Sequence, residues 1–229
     1  MYSKYFHPNC GNNMHSEQKI PLGKIHLMGN LSIPKNPIGI VIFAHGSGSS
    51  RFSPRNRSVA DFLNENHIAT LLMDLLTEEE EKIDESTSEF RFNISLLAER
   101  LLQVTDWLLQ NNETKSLPIG YFGASTGAAA ALIAAARKKG AISAVVSRGG
   151  RPDLAKATLR QVSSPTLLIV GGLDSEVIEM NREALDPLKC TKKLEIVPGA
   201  THLFEEPGCL KKVAWLAFEW FTKYFQEIQ

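Results

Sequence analysis

The chemistry of this sequence gathers around one serine. Residues 120–127 read GYFGASTG, so Ser125 lies in a GxSxG pattern placed directly after an apolar run and directly before an alanine-rich one. The bare pattern arises by chance in roughly one chain of this length in ten, so its neighbours decide its meaning. Strand, sharp turn and helix in that order present a hydroxyl at the turn, and the small flanking residues let the backbone close tightly. A serine hydroxyl is a weak nucleophile near neutral pH. It needs a base within hydrogen-bond reach, and the base needs a carboxylate to fix its tautomer.

In strand-turn-helix serine sites the acid and then the histidine follow the nucleophile along the chain. Residues 172–175 (GLDS) follow an apolar run and supply Asp174; residues 198–204 (PGATHLF) follow the next such run and supply His202. Asp74, at the end of an earlier run, and Asp153, at a helix start where a carboxylate complements the dipole, are the rival acids. Among the other histidines, His45 precedes the serine, and His7, His15, His26 and His67 fall in a tail, a hairpin or a helix end. An oxyanion needs two backbone donors. Thr126 supplies one as the residue after the nucleophile, and the loop HGSGSS at 45–50 supplies the other through Ser47, with Gly48 as the adjacent alternative. A glycine-rich phosphate cradle would require a following Lys, which this loop lacks.

These loops need a scaffold that brings them to one edge. β-branched runs at 38–44, 68–74, 117–122, 142–147, 166–171 and 194–198 alternate with helical patterns at 55–66, 94–111, 126–139, 176–188 and 210–225, which predicts a mostly parallel sheet with helices on both faces. Residues 19–22 and 24–33 read as a hairpin turning at Gly23, giving about eight strands. The acidic run at 78–81 reads as a solvated loop. Residues 1–16 read as a detached, disordered tail and 17–229 as one domain.

Composition narrows the partners. Apolar residues make up 43% and charged ones 22%, as in a soluble globular chain, and 25 Lys plus Arg balance 25 Asp plus Glu. That balance argues against nucleic acid as a partner. Apolar runs fall short of the about 20 residues that span a bilayer as a helix. Three cysteines without a CxxC pair fit neither a disulfide framework nor a thiolate metal site. A cytoplasmic protein acting on a small molecule, with no cofactor, no metal and no membrane partner, is the expectation; the pattern leaves the oligomeric state open.

The segments at 45–57 (HGSGSSRFSPRNR), 120–127 (GYFGASTG), 147–153 (SRGGRPD) and 199–206 (GATHLFEE) resemble the α/β-hydrolase superfamily, and within it the dienelactone hydrolase-like proteins. The resemblance spans nearly all of 17–225. It implies an α/β-hydrolase fold and a hydrolase acting on an ester, lactone or thioester. Dienelactone hydrolases proper carry cysteine where this chain has Ser125, so the resemblance does not extend to dienelactone as substrate. In some relatives a similar region is joined to a phosphoribosyltransferase domain, which is not expected within these residues. Cap domains of this fold usually follow the sixth strand, and residues 148–165 leave no room for a large one.

Three arginines, Arg51, Arg148 and Arg151, fall at the edge that presents Ser125 and His202. Guanidinium forks suit carboxylate or phosphate, so an anionic substrate is expected. Pairing of these arginines with Asp153 or Asp61 is the alternative. Two other functions remain compatible with the same residues: acyl transfer, in which an alcohol, amine or thiol replaces water, and non-catalytic binding on a hydrolase scaffold.

Overall fold

The structure, a computed structural model, describes residues 14–227. Its strands are β1 (Met14–Leu22), β2 (Ile25–Ile33), β3 (Gly39–Ala44), β4 (Ile68–Met73), β5 (Ile119–Ala124), β6 (Ile142–Arg148), β7 (Thr166–Gly171) and β8 (Lys192–Val197). They form one sheet in the order β1-β2-β4-β3-β5-β6-β7-β8. The β1/β2 and β2/β4 pairs are antiparallel; every other pairing is parallel. In β3, β4, β5 and β7 every residue is buried, which explains their unbroken apolar runs: both faces of a parallel sheet are covered.

Helices α1 (Pro54–Glu65) and α6 (Cys209–Gln226) cover one face, packing Val59, Leu63, Val213 and Phe221 on Val41, Phe43, Phe122 and Val146. On the other face α3 (Ile94–Gln110) and α4 (Thr126–Arg137) pack Leu97, Leu101, Ala130 and Leu132 on Ile40, Ile42, Tyr121 and Val145. α5 (Ser175–Leu185) lies between β7 and β8 in sequence.

The departures from expectation have local causes. The acidic run is not a loop but the start of a helix, α2 (Glu78–Thr87). Thr77 and Glu80 form a reciprocal capping box, and four glutamates in the first turn complement the helix dipole; a stripe of apolar residues is not required. β8 starts two residues earlier than its apolar run because an edge strand tolerates the exposed Lys192 and Lys193. β1 likewise takes in Met14, His15 and Ser16, the last residues of the expected tail, pairing them with Ile33, Ser32 and Leu31; residues 1–13 lie outside the described residues. Between β6 and β7 the chain makes only a 3₁₀ segment, Pro152–Gln161, so no large cap covers the sheet edge.

Candidate active site

Strands β3 to β8 run parallel, so the loops at their carboxyl ends share one edge, where open α/β sheets place their sites. Ser125 occupies the turn from β5 to α4 with φ 49° and ψ −123°. That positive-φ backbone is rare for a residue with a side chain and marks a strained turn at a half-buried serine. The two motif glycines make the turn possible. A Cβ on Gly123 would stand 2.4 Å from Ala128 Cα, and one on Gly127 2.3 Å from the Ala44 carbonyl oxygen.

The loops after β7 and β8 are zipped together by their backbones. Gly172 N–H donates to the Val197 carbonyl (2.8 Å) and Leu173 N–H to that of Ala200 (2.9 Å). This brings Asp174 to His202, whose Nδ1 bonds Asp174 Oδ2 at 2.6 Å. The carboxylate is the acceptor, which leaves Nε2 of a neutral imidazole free to accept a proton. The His202 turn is braced by Glu206, which takes both the Thr201 N–H (3.1 Å) and its hydroxyl (2.6 Å); these donors hold the Glu206 carboxyl below its ordinary pKa.

Gly149 lies between the serine and histidine segments. The carbonyl of its neighbour Arg148 accepts the Ser125 N–H (3.3 Å), and a Cβ at Gly149 would stand 3.5 Å from His202 Cε1. Among the described residues Ser125 Oγ makes no hydrogen bond to the imidazole, a contact that in such sites commonly tightens only with substrate. The rival acids are engaged elsewhere: Asp74 with Arg51, and Asp153 with Arg151.

The loop at 45–50, where the sequence leads one to expect the second oxyanion donor, approaches Ser125 closely enough that a Cβ on Gly46 would stand 3.0 Å from Ser125 Cβ. Ser47, rather than Gly48, faces Thr126. Its N–H donates to Thr126 Oγ1 (3.0 Å), and the two hydroxyls are 2.9 Å apart. His45 braces the loop from beneath. Its Nδ1 donates to the Gly46 carbonyl (2.9 Å) and its Nε2 accepts the Leu75 N–H (3.2 Å), so the ring is neutral; burial holds its pKa below the ordinary value. Beside the loop opens a cavity of about 330 Å³, lined among others by Ser47, Leu75, Leu76, Glu81 and Arg91. Burial, then the neighbouring Asp74 and Glu85, push the Glu81 carboxyl up.

The three arginines separate. Arg51 is taken by Asp74 and Glu17, and Arg151 by Asp153 through two bonds of 2.9 and 2.8 Å. Arg148 is buried without a carboxylate among the described residues. Its Nη2 reaches Asn56 Oδ1 at 3.3 Å, its Nε has no partner, and burial together with Arg55 lowers its pKa to about 10. The braces His45 and Glu206 fall inside the quoted segments, but their roles rest on contacts with Leu75 and Thr201 that the sequence does not state.

The sequence model of the dienelactone hydrolase family matches residues 27–229. The chain belongs to the dienelactone hydrolase family. It is 57% identical to a dienelactone hydrolase from Anabaena variabilis, with a TM-score of 0.91 covering 93% of this chain and 98% of that one. An esterase of Pyrococcus furiosus shares the fold at 20% identity and TM-score 0.70, covering 93% and 94% of the two chains. Two proteins of Mycobacterium tuberculosis, from strains CDC 1551 and H37Rv, are 56% identical over 210 residues and carry the provisional name phosphoribosyl transferase. Those residues are 91% of this chain but 46% of theirs, so the chain spans about half the length of these relatives. Family membership and the match to solved structures give these residues the α/β-hydrolase fold.

Proposed function

We propose that this member of the family is a serine hydrolase that opens a small ester, lactone or thioester through a seryl acyl-enzyme. The observation that carries this reading is the 2.6 Å bond from His202 to Asp174 at the sheet edge that also presents the strained Ser125. His202 Nε2 takes the Ser125 proton as Oγ attacks the carbonyl carbon. The oxyanion is met by the Thr126 N–H, free in the first turn of α4, and by the Ser47 N–H, which the Thr126 hydroxyl yields to it. Collapse expels the alcohol or thiol with the proton from His202, and water activated by the same imidazole releases the acid. Cysteine attack, the chemistry of dienelactone hydrolases proper, is replaced here by oxygen attack.

The transferase name of the longer relatives does not enter this reading, because the shared residues are 46% of those chains and here carry the dienelactone hydrolase family match. Selectivity for an anionic substrate rests on Arg148, since Arg51 and Arg151 are already paired. An alkyl fluorophosphonate is expected to label Ser125 and no other serine, read by mass spectrometry of the labelled peptide. Labelling that persists unchanged in Ser125→Ala would overturn the assignment. Turnover of p-nitrophenyl esters with and without added alcohols or amines separates hydrolysis from acyl transfer.

A further inference from the structure

A chain of contacts leads from helix α2 to the oxyanion loop. Asp84 is the buried residue of an otherwise exposed helix. Its Oδ1 accepts the N–H groups of Phe90 (2.7 Å) and Arg91 (2.9 Å), its Oδ2 accepts Arg91 Nε–H (2.5 Å), and its carbonyl accepts Arg91 Nη2–H (2.7 Å). Arg91 is thus fixed in backbone and side chain alike. Its carbonyl accepts the Ser47 hydroxyl proton (3.2 Å). With that proton spent, the bond between the Ser47 and Thr126 hydroxyls (2.9 Å) runs from Thr126 to Ser47, while Thr126 Oγ1 accepts the Ser47 N–H (3.0 Å).

We propose that Asp84 and Arg91 are positioning residues for the oxyanion hole, holding the Ser47 N–H where the tetrahedral intermediate needs it. This rests on the seryl acyl-enzyme reading above. When an oxyanion claims the Ser47 N–H, the Thr126 hydroxyl loses its grip on that group. The Ser47 side chain then stays anchored by its bonds to the Arg91 carbonyl and the Thr126 hydroxyl, and Asp84 is what keeps that carbonyl in place. The free energy of ordering Ser47 is therefore met before substrate arrives, which is how a preorganised donor gains its effect. Neither residue touches the reacting atoms. The same two residues wall the cavity beside the loop together with Ser47, so a substrate group lodged there would meet the brace as well as the donor.

The test uses the full chain with p-nitrophenyl acetate as substrate and phenylboronic acid as the probe of the hole, since the boronate forms a tetrahedral adduct on serine. In Asp84→Asn the amide nitrogen meets the Arg91 Nε–H donor and the brace is lost. The expected result is a kcat about tenfold lower, the effect of one hydrogen bond, with KM within about twofold. Boronate inhibition weakens by the same factor. In the Ser47→Ala background, where the relay is already cut, Asp84→Asn is expected to add less than about twofold, because residues in one network are non-additive. Arg91→Lys should reproduce the loss and carries the test if Asp84→Asn does not fold. Wild-type kcat in Asp84→Asn and Arg91→Lys, or full multiplication of effects in the double variant, would overturn the proposal while an inactive Ser125→Ala kept the seryl reading. Activity retained in Ser125→Ala would overturn both.

Discussion

On the wall built by the loops after β7 and β8, Asp174 and His202 meet through one short contact, and backbone bonds between adjacent loops bring them there. The facing wall, the oxyanion loop after β3, is held by side chains reaching across the chain. His45 bonds a residue 30 positions away, Ser47 one 44 away, and Arg51 pairs with Asp74. In the proposed mechanism the first wall supplies the proton chemistry, and it needs little beyond the register of two parallel strands. In the same mechanism the second holds the Ser47 N–H aimed at an atom that exists only during reaction, so it draws on buried polar groups whose loss is costly.

The largest expected effect tests which wall holds the acid. Asp174→Asn is expected to lower kcat about ten-thousandfold by leaving the imidazole in the wrong tautomer. Asp74→Asn, which removes only the carboxylate bracing Arg51, is expected to cost about tenfold or less. Steady-state kinetics on a short-chain p-nitrophenyl ester distinguishes them. Equal losses in the two variants would move the acid to the oxyanion side and break the comparison.

This asymmetry also explains what could be read from the sequence. Ser125 and Asp174 follow the buried strands β5 and β7, and His202 lies in the loop after the edge strand β8, so the strand pattern alone places them at one edge. The β3, β4 and β7 runs were legible because parallel strands are apolar on both faces. Helix α2 was not, since its stability comes from a capping box and first-turn carboxylates rather than an apolar stripe. With it went Asp84, whose importance lies in contacts to Arg91 in the following turn. The pairing of Arg51 with Asp74 was also out of reach, because it depends on two loops meeting across the edge of the sheet.

A smaller effect, on stability, tests whether the two walls share a foundation. Gly127 packs against the Ala44 and His45 carbonyl oxygens, which a Cβ would approach to 2.3 and 2.5 Å. Backbone cannot move aside as a flexible side chain can. Gly127→Ala is therefore expected to destabilise the fold by roughly 3 kcal/mol, read from urea denaturation. A loss of about 0.5 kcal/mol or less would mean that the serine turn and the oxyanion loop adjust independently.

His45 gives the oxyanion wall a pH dependence that the other wall need not share. Burial depresses its folded-state pKa, so below the ordinary imidazole value the unfolded chain binds a proton that the folded chain refuses. Its contribution to stability is complete above that value and declines as pH falls through it toward the folded pKa. Denaturation midpoints measured from about pH 8 to about pH 5 are expected to fall more steeply in the wild type than in His45→Gln. Parallel slopes would show that protonating His45 does not strain the loop.

The smallest effect concerns Arg148, which belongs to neither wall's bracing. A guanidinium buried without a counter-ion is costly, and here the nearest charged neighbour affecting it is another cation, Arg55. Phe204, two residues beyond His202, lies with its ring centre 6.0 Å from the guanidinium carbon. Such a group is stabilised when an anion arrives. Arg148→Met keeps the bulk and removes the charge. For matched esters differing only in a carboxylate, kcat/KM on the anionic one is expected to fall about tenfold, the share of one charge-assisted hydrogen bond, with the neutral ester unchanged. The thermal midpoint should hold or rise, because an apolar side chain is cheaper to bury there than an unpaired cation. Equal loss on both esters would assign Arg148 to holding the His202 loop, and a lower midpoint with unchanged kinetics would make it a core residue bound to Asn56.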